Sequence, residues 1–182
     1  MNSIYEIETK VLDINMNKVL DTLVKLGAKK LLNTRFVVDW FREPGTKEGE
    51  DLWFLRIRTN SNSESEVTWK AKSEILGTAR KHKEINFSIS EPDKLADVFQ
   101  EIGLERYAHQ EKQRISYLHK DWHFDIDQYP SMPPYLEIEG KSEEHIREAI
   151  DLLGLKNNKT WAKGERTLIQ EVYGLNWYQM RF

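Results

Sequence analysis

The 182-residue sequence contains no cysteine, which excludes disulfide bonds, thiolate zinc sites and cysteine nucleophiles. This absence fits a reducing compartment, so we expect a cytoplasmic protein. No apolar run reaches the ~18 residues of a membrane span, and the first residues lack the basic flank and apolar stretch of a signal peptide. The formal net charge of −3 argues against a strongly basic nucleic-acid-binding domain. We therefore expect neither a membrane nor a nucleic acid as partner.

Charged residues, by contrast, are abundant. They make up 31% of the chain, although 27 Lys and Arg nearly balance 30 Asp and Glu. The chain is long enough to bury a substantial core, and no linker or low-complexity segment interrupts it. We expect one domain over residues 1–182. The question is then whether the charges coat its surface or line a site.

Three segments have the apolar spacing i, i+3, i+4, i+7 that is typical of an amphipathic helix. A glycine follows each segment, where a left-handed C-terminal cap favours this residue, at Gly27, Gly103 and Gly154. Pro92 and Ser142 lie near the starts of the second and third segments, as N-terminal signals do. The apolar faces are Met16, Val19, Leu20 and Leu23; Leu95, Val98, Phe99 and Ile102; and Ile146, Ala149, Ile150 and Leu153.

Most of the remaining chain is rich in Val, Ile, Thr and aromatic residues, a composition that favours β-strands. Two units of similar order follow one another, each with a strand, a helix ending in glycine and about three more strands. Although such units also recur by chance, they indicate two β-α-β-β-β halves that close together. We predict an α+β fold with eight strands, at residues 4–12, 30–41, 52–59, 66–72, 81–90, 105–118, 121–128 and 134–140.

Charged residues of one sign occur in pairs at positions i and i+2 inside these strands. Side chains two residues apart point to the same face of a strand, so each pair places two like charges together. The residues between them are largely apolar and form the opposite, core-facing side. The pairs are Glu6 and Glu8 (with Lys10 continuing the row), Arg56 and Arg58, Lys70 and Lys72, Lys112 and Arg114, Asp125 and Asp127, and Glu137 and Glu139.

An antiparallel sheet with one solvated face accounts for any single pair. The whole set is harder to explain in that way, because like charges close together repel. Acidic pairs supply the oxygen ligands of a hard divalent cation such as Mg²⁺ or Mn²⁺, and basic pairs bind phosphate oxygens. The pattern therefore favours a closed eight-stranded antiparallel β-barrel, a tunnel with a charged interior and with the helices packed outside.

The charged pairs lie in motifs that follow a recognisable order. Glu6-Ile7-Glu8-Thr9-Lys10 has the form E-x-E-x-K, and Leu55-Arg56-Ile57-Arg58 has the form L-R-x-R. Next come Thr68-Trp69-Lys70, Lys112-Gln113-Arg114-Ile115-Ser116-Tyr117, and the acidic strands Phe124-Asp125-Ile126-Asp127 and Leu136-Glu137-Ile138-Glu139. This ordered set, over roughly residues 4–170, resembles the CYTH superfamily, also called triphosphate tunnel metalloenzymes. The resemblance implies an eight-stranded antiparallel tunnel that binds a triphosphate.

The resemblance also implies roles for individual side chains. Lys10, Arg56, Arg58 and Lys70 are assigned to catalysis, because phosphoryl transfer depends mainly on positioning and charge neutralisation. The residues expected to bind the triphosphate are Arg56, Arg58, Lys70, Lys72, Lys112, Arg114 and Lys163. The residues expected to hold Mg²⁺ or Mn²⁺ are Glu6, Glu8, Glu137 and Glu139, with Glu84 and Asp127 (and Asp125 left open) at a second ion. Asn86 departs from the family, which often has a glutamate there, and the departure removes one charge.

The activity implied by the resemblance is the metal-dependent hydrolysis of an inorganic, nucleoside or thiamine triphosphate. One alternative is a class IV adenylate cyclase, which converts ATP to cyclic AMP and pyrophosphate. An alternative of another class is a non-catalytic module that binds polyphosphate. The sequence does not indicate which of these triphosphates is the substrate. The resemblance to the family also allows a homodimer.

The remaining histidines and aromatic residues point to no further site. His119 and His123 lie in a predicted hairpin, which we prefer to a zinc site. His82, His109 and His145 are isolated and are expected at the surface. The strand tryptophans are expected in the core, with one of them at a tunnel mouth as an alternative. The C-terminal end is expected to be a short helix and a tail with exposed aromatic residues, which dock on the barrel or form a dimer contact: Trp177, Tyr178 and Phe182.

Overall fold

The computed structural model describes residues 5–182. The predicted first strand began at Ile4, which lies outside the described residues. Within the described range, no helix combines the length and the apolar character needed to span a membrane.

The chain forms long strands and short helices in the predicted order. The strands are β1 (Tyr5–Val11), β2 (Lys29–Arg42), β3 (Trp53–Asn60), β4 (Ser65–Ala71), β5 (Glu74–Leu76), β6 (Ala79–Ile89), β7 (Glu105–His119), β8 (Trp122–Gln128), β9 (Tyr135–Gly140), β10 (Thr160–Trp161) and β11 (Gln179–Met180). The helices are α1 (Met16–Lys25), α2 (Pro92–Glu101), α3 (Glu143–Leu152) and the short α4 (Glu165–Thr167), which a π-helical turn at Leu168–Val172 continues. The eight long strands match the eight predicted ones, whereas β5, β10 and β11 are short additions.

The eight long strands pair in a closed ring. Their order is β1-β9-β8-β7-β2-β3-β4-β6, and β6 pairs with β1 again. Every pairing within the ring is antiparallel, whereas β11 adds to β7 in parallel. The units β1-α1-β2-β3-β4 and β6-α2-β7-β8-β9 have the same element order. The predicted ring of eight antiparallel strands is therefore confirmed.

Strand register explains why the charged rows face one another inside the ring. Lys10 lies opposite Glu137 in the β1–β9 pair, and Arg114 lies opposite Asp127 in the β7–β8 pair. All four side chains are buried. Because successive side chains alternate between the faces of a strand, their apolar neighbours such as Ile138 point outward. The interior is thus charged at these strands, and the core around Ile138 lies outside the ring. A second apolar cluster, which includes Trp40, shares the inner face with Arg56, because the two residues lie opposite each other in the β2–β3 pair.

Two helices cover the outward apolar face. Leu23 of α1 and Ile146 of α3 pack in one core cluster with Ile138, and all three are fully buried. The predicted N-terminal signal of α3 is confirmed, because the Ser142 hydroxyl accepts a hydrogen bond from the His145 backbone N–H at 3.2 Å. The three predicted glycine caps are also confirmed, with φ angles of +71°, +96° and +70° at Gly27, Gly103 and Gly154.

Helix α2 buries less than its sequence predicts. Leu95 and Phe99 pack against the small cluster around Phe41, but Val98 is 51% exposed and Ile102 is 69% exposed. The expectation of one broad buried face was wrong for these two residues. The helix contacts β3 and β7 with a narrow stripe, so the outer half of its apolar face remains uncovered.

The C-terminal segment packs against the ring. Trp177 is 2% exposed and belongs to a core cluster with Trp40 and Tyr135, which lie on β2 and β9. Its backbone carbonyl accepts a hydrogen bond from Gln110 Nε2 at 2.5 Å. The expectation of an exposed aromatic tail was therefore wrong for Trp177, whereas Phe182 is 51% exposed. Of the two outcomes left open for the tail, docking on the barrel applies to Trp177.

The α1–sheet interface predicts a large stability difference between two neighbouring substitutions. Leu23 is 0% exposed and Val24 is 63% exposed. Leu23→Ala leaves a cavity in the core and is expected to lower the free energy of unfolding by about 2–5 kcal/mol. Val24→Ala, the matched control, is expected to change it by less than about 0.5 kcal/mol. Urea denaturation followed by circular dichroism measures both, and equal losses in the two variants would contradict the packing described above.

Candidate active site

A cavity of about 510 Å³ opens inside the ring, and charged side chains of both signs line it. The predicted site residues in its wall are Glu6, Arg56, Arg58, Lys70, Lys72, Glu84, Lys112, Arg114, Glu137, Glu139 and Lys163. Glu8, Lys10 and Asp127 are buried behind this wall, with exposures of 1%, 1% and 0%. The cavity therefore lies where the alternating charges of the strands converge.

Neighbouring strands bring the predicted metal ligands together. Glu8 of β1 lies opposite Glu139 of β9, and Glu137 lies two residues away on the same face. One carboxylate oxygen from each of these three residues lies within 4.8 Å of the other two. A set of carboxylate oxygens at this spacing suits a hard divalent cation such as Mg²⁺ or Mn²⁺.

Cationic side chains neutralise this carboxylate cluster. Lys10 Nζ lies 2.7 Å from Glu137 Oε2 and 3.4 Å from Glu8 Oε1, and Arg80 Nε donates a 2.6 Å hydrogen bond to Glu8. Burial alone raises the pKa of Glu8, but Arg80 and Lys10 hold that pKa well below its usual range. Glu139 differs, because burial and the nearby carboxylates of Glu6 and Glu8 raise its pKa to about 8. The cluster thus contains both strongly acidic and weakly acidic carboxyl groups.

Two arginines of β3 present unpaired donors to the cavity. Arg56 Nε and Arg58 Nη1 are buried and have no hydrogen-bond partner among the described residues. The Arg56 guanidinium lies 5.5 Å from the centre of the Trp40 ring, and Arg58 Nε lies 2.7 Å from Glu66 Oε1. Buried polar groups in folded proteins are nearly always hydrogen-bonded, so unpaired guanidinium donors indicate a place for an anion.

The basic pair of β7 is already paired. Arg114 donates two hydrogen bonds to Asp127, from Nε at 2.6 Å and from Nη2 at 2.5 Å, and it also pairs with Asp125. Lys112 Nζ lies 3.0 Å from the same Asp127. Asp127 is therefore placed apart from the carboxylate cluster, as the partner of two cations. Its predicted part at a second metal ion stays a prediction, and so does that of Asp125.

Lys70 of β4 and Glu84 of β6 form a further charged pair of the cavity wall. Lys70 Nζ lies 3.4 Å from Glu6 Oε2 and also contacts Glu84. Asn86 follows on the same face of β6, where its Nδ2 donates a 3.1 Å hydrogen bond to Glu84. The departure at Asn86 thus replaces a negative charge by a hydrogen bond that orients its neighbour.

Lys72 and Lys163 lie at the edge of the cavity. Both are exposed, and Lys163 Nζ lies 3.0 Å from Glu171 Oε2. The structure therefore brings these two lysines to the mouth, while the other predicted basic residues lie deeper. A ligand that extends outward from the deeper basic residues would contact Lys72 and Lys163 at the mouth.

Three residues of the site were missed by the sequence analysis. Arg80 and His82 continue the inward row of β6 that includes Glu84 and Asn86, but the predicted strand began one residue too late to include Arg80. The spacing of two residues between Arg80, His82 and Glu84 was the sequence signal that could have placed them on one face. Glu165, at the start of α4, lies 3.4 Å from Lys112 Nζ, and only the tertiary fold brings it there. Lys112 and Arg56 offset the burial of Glu165 and lower its pKa to about 2.

Of the three histidines expected at the surface, His82 differs most from that expectation. His82 was expected at the surface but is 3% exposed, because it lies opposite Glu6 on the inner face of the ring. His109 is half-buried beside Asp39, with 2.8 Å between Nδ1 and a carboxylate oxygen, and His145 stacks on Trp122 with ring centres 4.5 Å apart. The expectation of a surface position was therefore wrong for His82, whereas His109 and His145 are half-buried and each contacts a partner.

Comparison with known proteins gives results of three kinds. The model of the family described as "CYTH domain" matches residues 5–164. The curated protein "Putative adenylate cyclase MJ0240" of Methanocaldococcus jannaschii is 30% identical over 154 residues, which are 81% of this chain and 83% of that protein.

Solved structures have the same fold at low identity. One is described as a "putative adenylate cyclase" from Vibrio parahaemolyticus, with a TM-score of 0.76 at 12% identity, covering 93% of this chain and 99% of the other. Another is a "putative adenylyl cyclase" from Hippeastrum, described with a dominant triphosphatase activity. Its TM-score is 0.64 at 14% identity, covering 94% of this chain and 96% of the other. At these identities, the two similarities show a shared fold and nothing more.

The raised pKa of Glu139 predicts a pH-dependent effect on stability. A carboxyl group with a folded-state pKa of about 8 favours folding below its unfolded pKa, and this contribution is lost as the pH rises through 8. Glu139→Gln cannot ionise. In metal-free buffer, the melting temperature of the variant minus that of the wild type is therefore expected to be more positive at pH 9 than at pH 5. Glu101→Gln, on the exposed end of α2, is the control. The same difference at both pH values would show that Glu139 titrates normally.

Proposed function

The chain belongs to the CYTH domain family, and on that basis we propose that it is a metal-dependent enzyme that hydrolyses a triphosphate. The observation that carries the proposal is the meeting of two chemically opposite sites in one cavity. Unpaired, buried donors of Arg56 and Arg58 lie on one side, and the carboxylates of Glu8, Glu137 and Glu139 lie on the other. A polyanion that carries divalent cations complements both sides.

The carboxylate cluster fits a divalent cation, because its three oxygens lie within 4.8 Å of one another and its ligands are of the type that Mg²⁺ and Mn²⁺ prefer. We assign Glu8, Glu137 and Glu139 to hold the ion, with Glu6 beside them. When bound, the ion supplies charge neutralisation at the phosphates and lowers the pKa of a water nucleophile.

The basic side chains bind and align the phosphates in this proposal. Arg56 and Arg58 offer planar guanidinium donors, which match the spacing of phosphate oxygens. Lys112 and Arg114 reach the same cavity but must share their donors with Asp127 and Glu165, so they act as a positive wall of fixed geometry. Lys10 keeps Glu8 and Glu137 in place beneath the substrate.

Adenylate cyclase activity is a second candidate. The Methanocaldococcus jannaschii relative, at 30% identity, is named for this activity. Trp40 and Trp177 also line the cavity, with ring centres 5.3 Å apart, and such a wall suits the base of a nucleotide. We place hydrolysis first because the Hippeastrum protein, although called a cyclase, is described with a dominant triphosphatase activity.

A substrate panel tests the proposal. Tripolyphosphate, ATP and thiamine triphosphate are each incubated with the protein and with Mg²⁺ or Mn²⁺, and phosphate, pyrophosphate and cyclic AMP are measured. Metal-dependent release of phosphate supports the triphosphatase. Cyclic AMP with pyrophosphate from ATP would replace it by the cyclase, and tight binding of tripolyphosphate without any product would replace it by a binding module.

The unpaired arginines predict a large effect of one substitution on turnover. Arg56→Ala is expected to lower kcat/KM for the preferred triphosphate ~10²-fold or more, because a preorganised electrostatic contact to the phosphates is lost. Its melting temperature is expected to stay the same or rise, since Arg58 loses a repulsive neighbour. Arg35→Ala, an exposed arginine outside the cavity, is the matched control. A folded Arg56→Ala variant with near-normal turnover would contradict the assignment.

A further inference from the structure

His82 is a buried residue of the tunnel whose chemistry the proposed function leaves unused. It lies on β6, opposite Glu6 of β1, and its side chain is 1% exposed. Neither ring nitrogen has a hydrogen-bond partner among the described residues. A buried imidazole without hydrogen bonds is costly, since each buried polar group that loses its water needs a partner. A ring nitrogen of His82 is therefore available to a ligand inside the tunnel.

The surroundings of His82 identify the chemical class of that ligand. Its Nε2 lies 3.3 Å from Glu6 Oε2 and 3.5 Å from Glu84 Oε2, so two carboxylate oxygens lie beside one ring nitrogen. One ligand atom each from Glu6, Glu8 and His82 lies within 4.8 Å of the other two. Adjacent ligands of an ion with bonds of about 2.1 Å lie about 3 Å apart, so the 3.3 Å contact between His82 and Glu6 matches two atoms that share one cation.

We propose that Glu6, Glu8 and His82 form a mixed nitrogen and oxygen metal site, with His82 as a ligand, that selects a divalent transition-metal ion over Mg²⁺. Magnesium takes oxygen ligands, whereas imidazole nitrogen is a ligand of the first-row transition metals. Glu8 also belongs to the group with Glu137 and Glu139. Its carboxylate can therefore bridge two neighbouring ions, one in an all-oxygen site and one in the site with His82.

Lys70 explains how the site is neutralised before an ion binds. Its ammonium group contacts Glu6 and Glu84, the two carboxylates nearest to His82. An ion held by His82 and the carboxylates would take over this neutralisation and leave Lys70, which already lines the cavity, free to bind a phosphate. Glu6 is 25% exposed and lines the same cavity, so the site is reached from the side of the substrate. The exchange would couple metal binding to the presentation of a phosphate-binding lysine.

The inference deepens the metal requirement of the proposed function, but it rests on binding and can fail separately. The test uses Mn²⁺ as the probe, added to the metal-free full chain without substrate. Pulsed electron paramagnetic resonance detects the coupling of bound Mn²⁺ to a ¹⁴N nucleus, and a Mn²⁺ titration gives affinity and stoichiometry. We expect ¹⁴N coupling in the wild type. In His82→Gln we expect its loss and a Mn²⁺ affinity lower by about tenfold or more, with Mg²⁺ affinity much less affected.

His123→Gln is the matched control, because His123 is a histidine of the cavity wall and lies opposite Glu139. It is expected to keep the ¹⁴N coupling. Absence of coupling in the wild type, its survival in His82→Gln, or its loss in His123→Gln would each overturn the proposal. If His82→Gln fails to fold by circular dichroism, His82→Asn provides the same comparison. Triphosphate turnover without ¹⁴N coupling would remove this site and leave the proposed function, and coupling without turnover would do the reverse.

Discussion

The charges inside the ring must neutralise one another, because an unpaired buried charge costs several kcal/mol. Strand register meets this constraint by placing opposite signs side by side, as in Lys10 with Glu137 and Arg114 with Asp127. The outward faces are apolar and pack under α1 and α3, so the same strands are fixed from both sides. Hydrogen bonding is incomplete at Arg56, Arg58 and His82, and these three positions are where a ligand has most to contribute.

This arrangement separates residues that hold the tunnel together from residues that are free to act. Asp127 is fully buried and shared by Lys112 and Arg114, which makes it a structural counter-ion. Arg56 lies on a neighbouring part of the same wall without an ion pair of its own among the described residues. The two kinds of residue look alike in a list of charged pairs, and their difference arises from the number of partners within reach.

The sequence predicted the ring and most of its charged lining, because both depend on local periodicity. A spacing of two residues is enough to place Glu6 with Glu8, or Arg56 with Arg58, on one face of a strand. Glu165 and Trp177 could not be found in this way, since their place depends on where a C-terminal segment crosses the ring. The burial of His82 was also missed, although its row on β6 has the same period, because a histidine between two lysines suggests a solvated strand.

The position of Glu165 has a consequence for the limits of the functional unit. The family model ends at residue 164, one residue before this carboxylate. A protein shortened to those limits would keep every charged pair found in the strands but would lose Glu165, the second acidic partner of Lys112, and the Trp177 indole beside Trp40. The region that defines membership of the family is therefore shorter than the region that completes the cavity. Segments beyond a shared domain boundary are where relatives with the same tunnel have room to diverge.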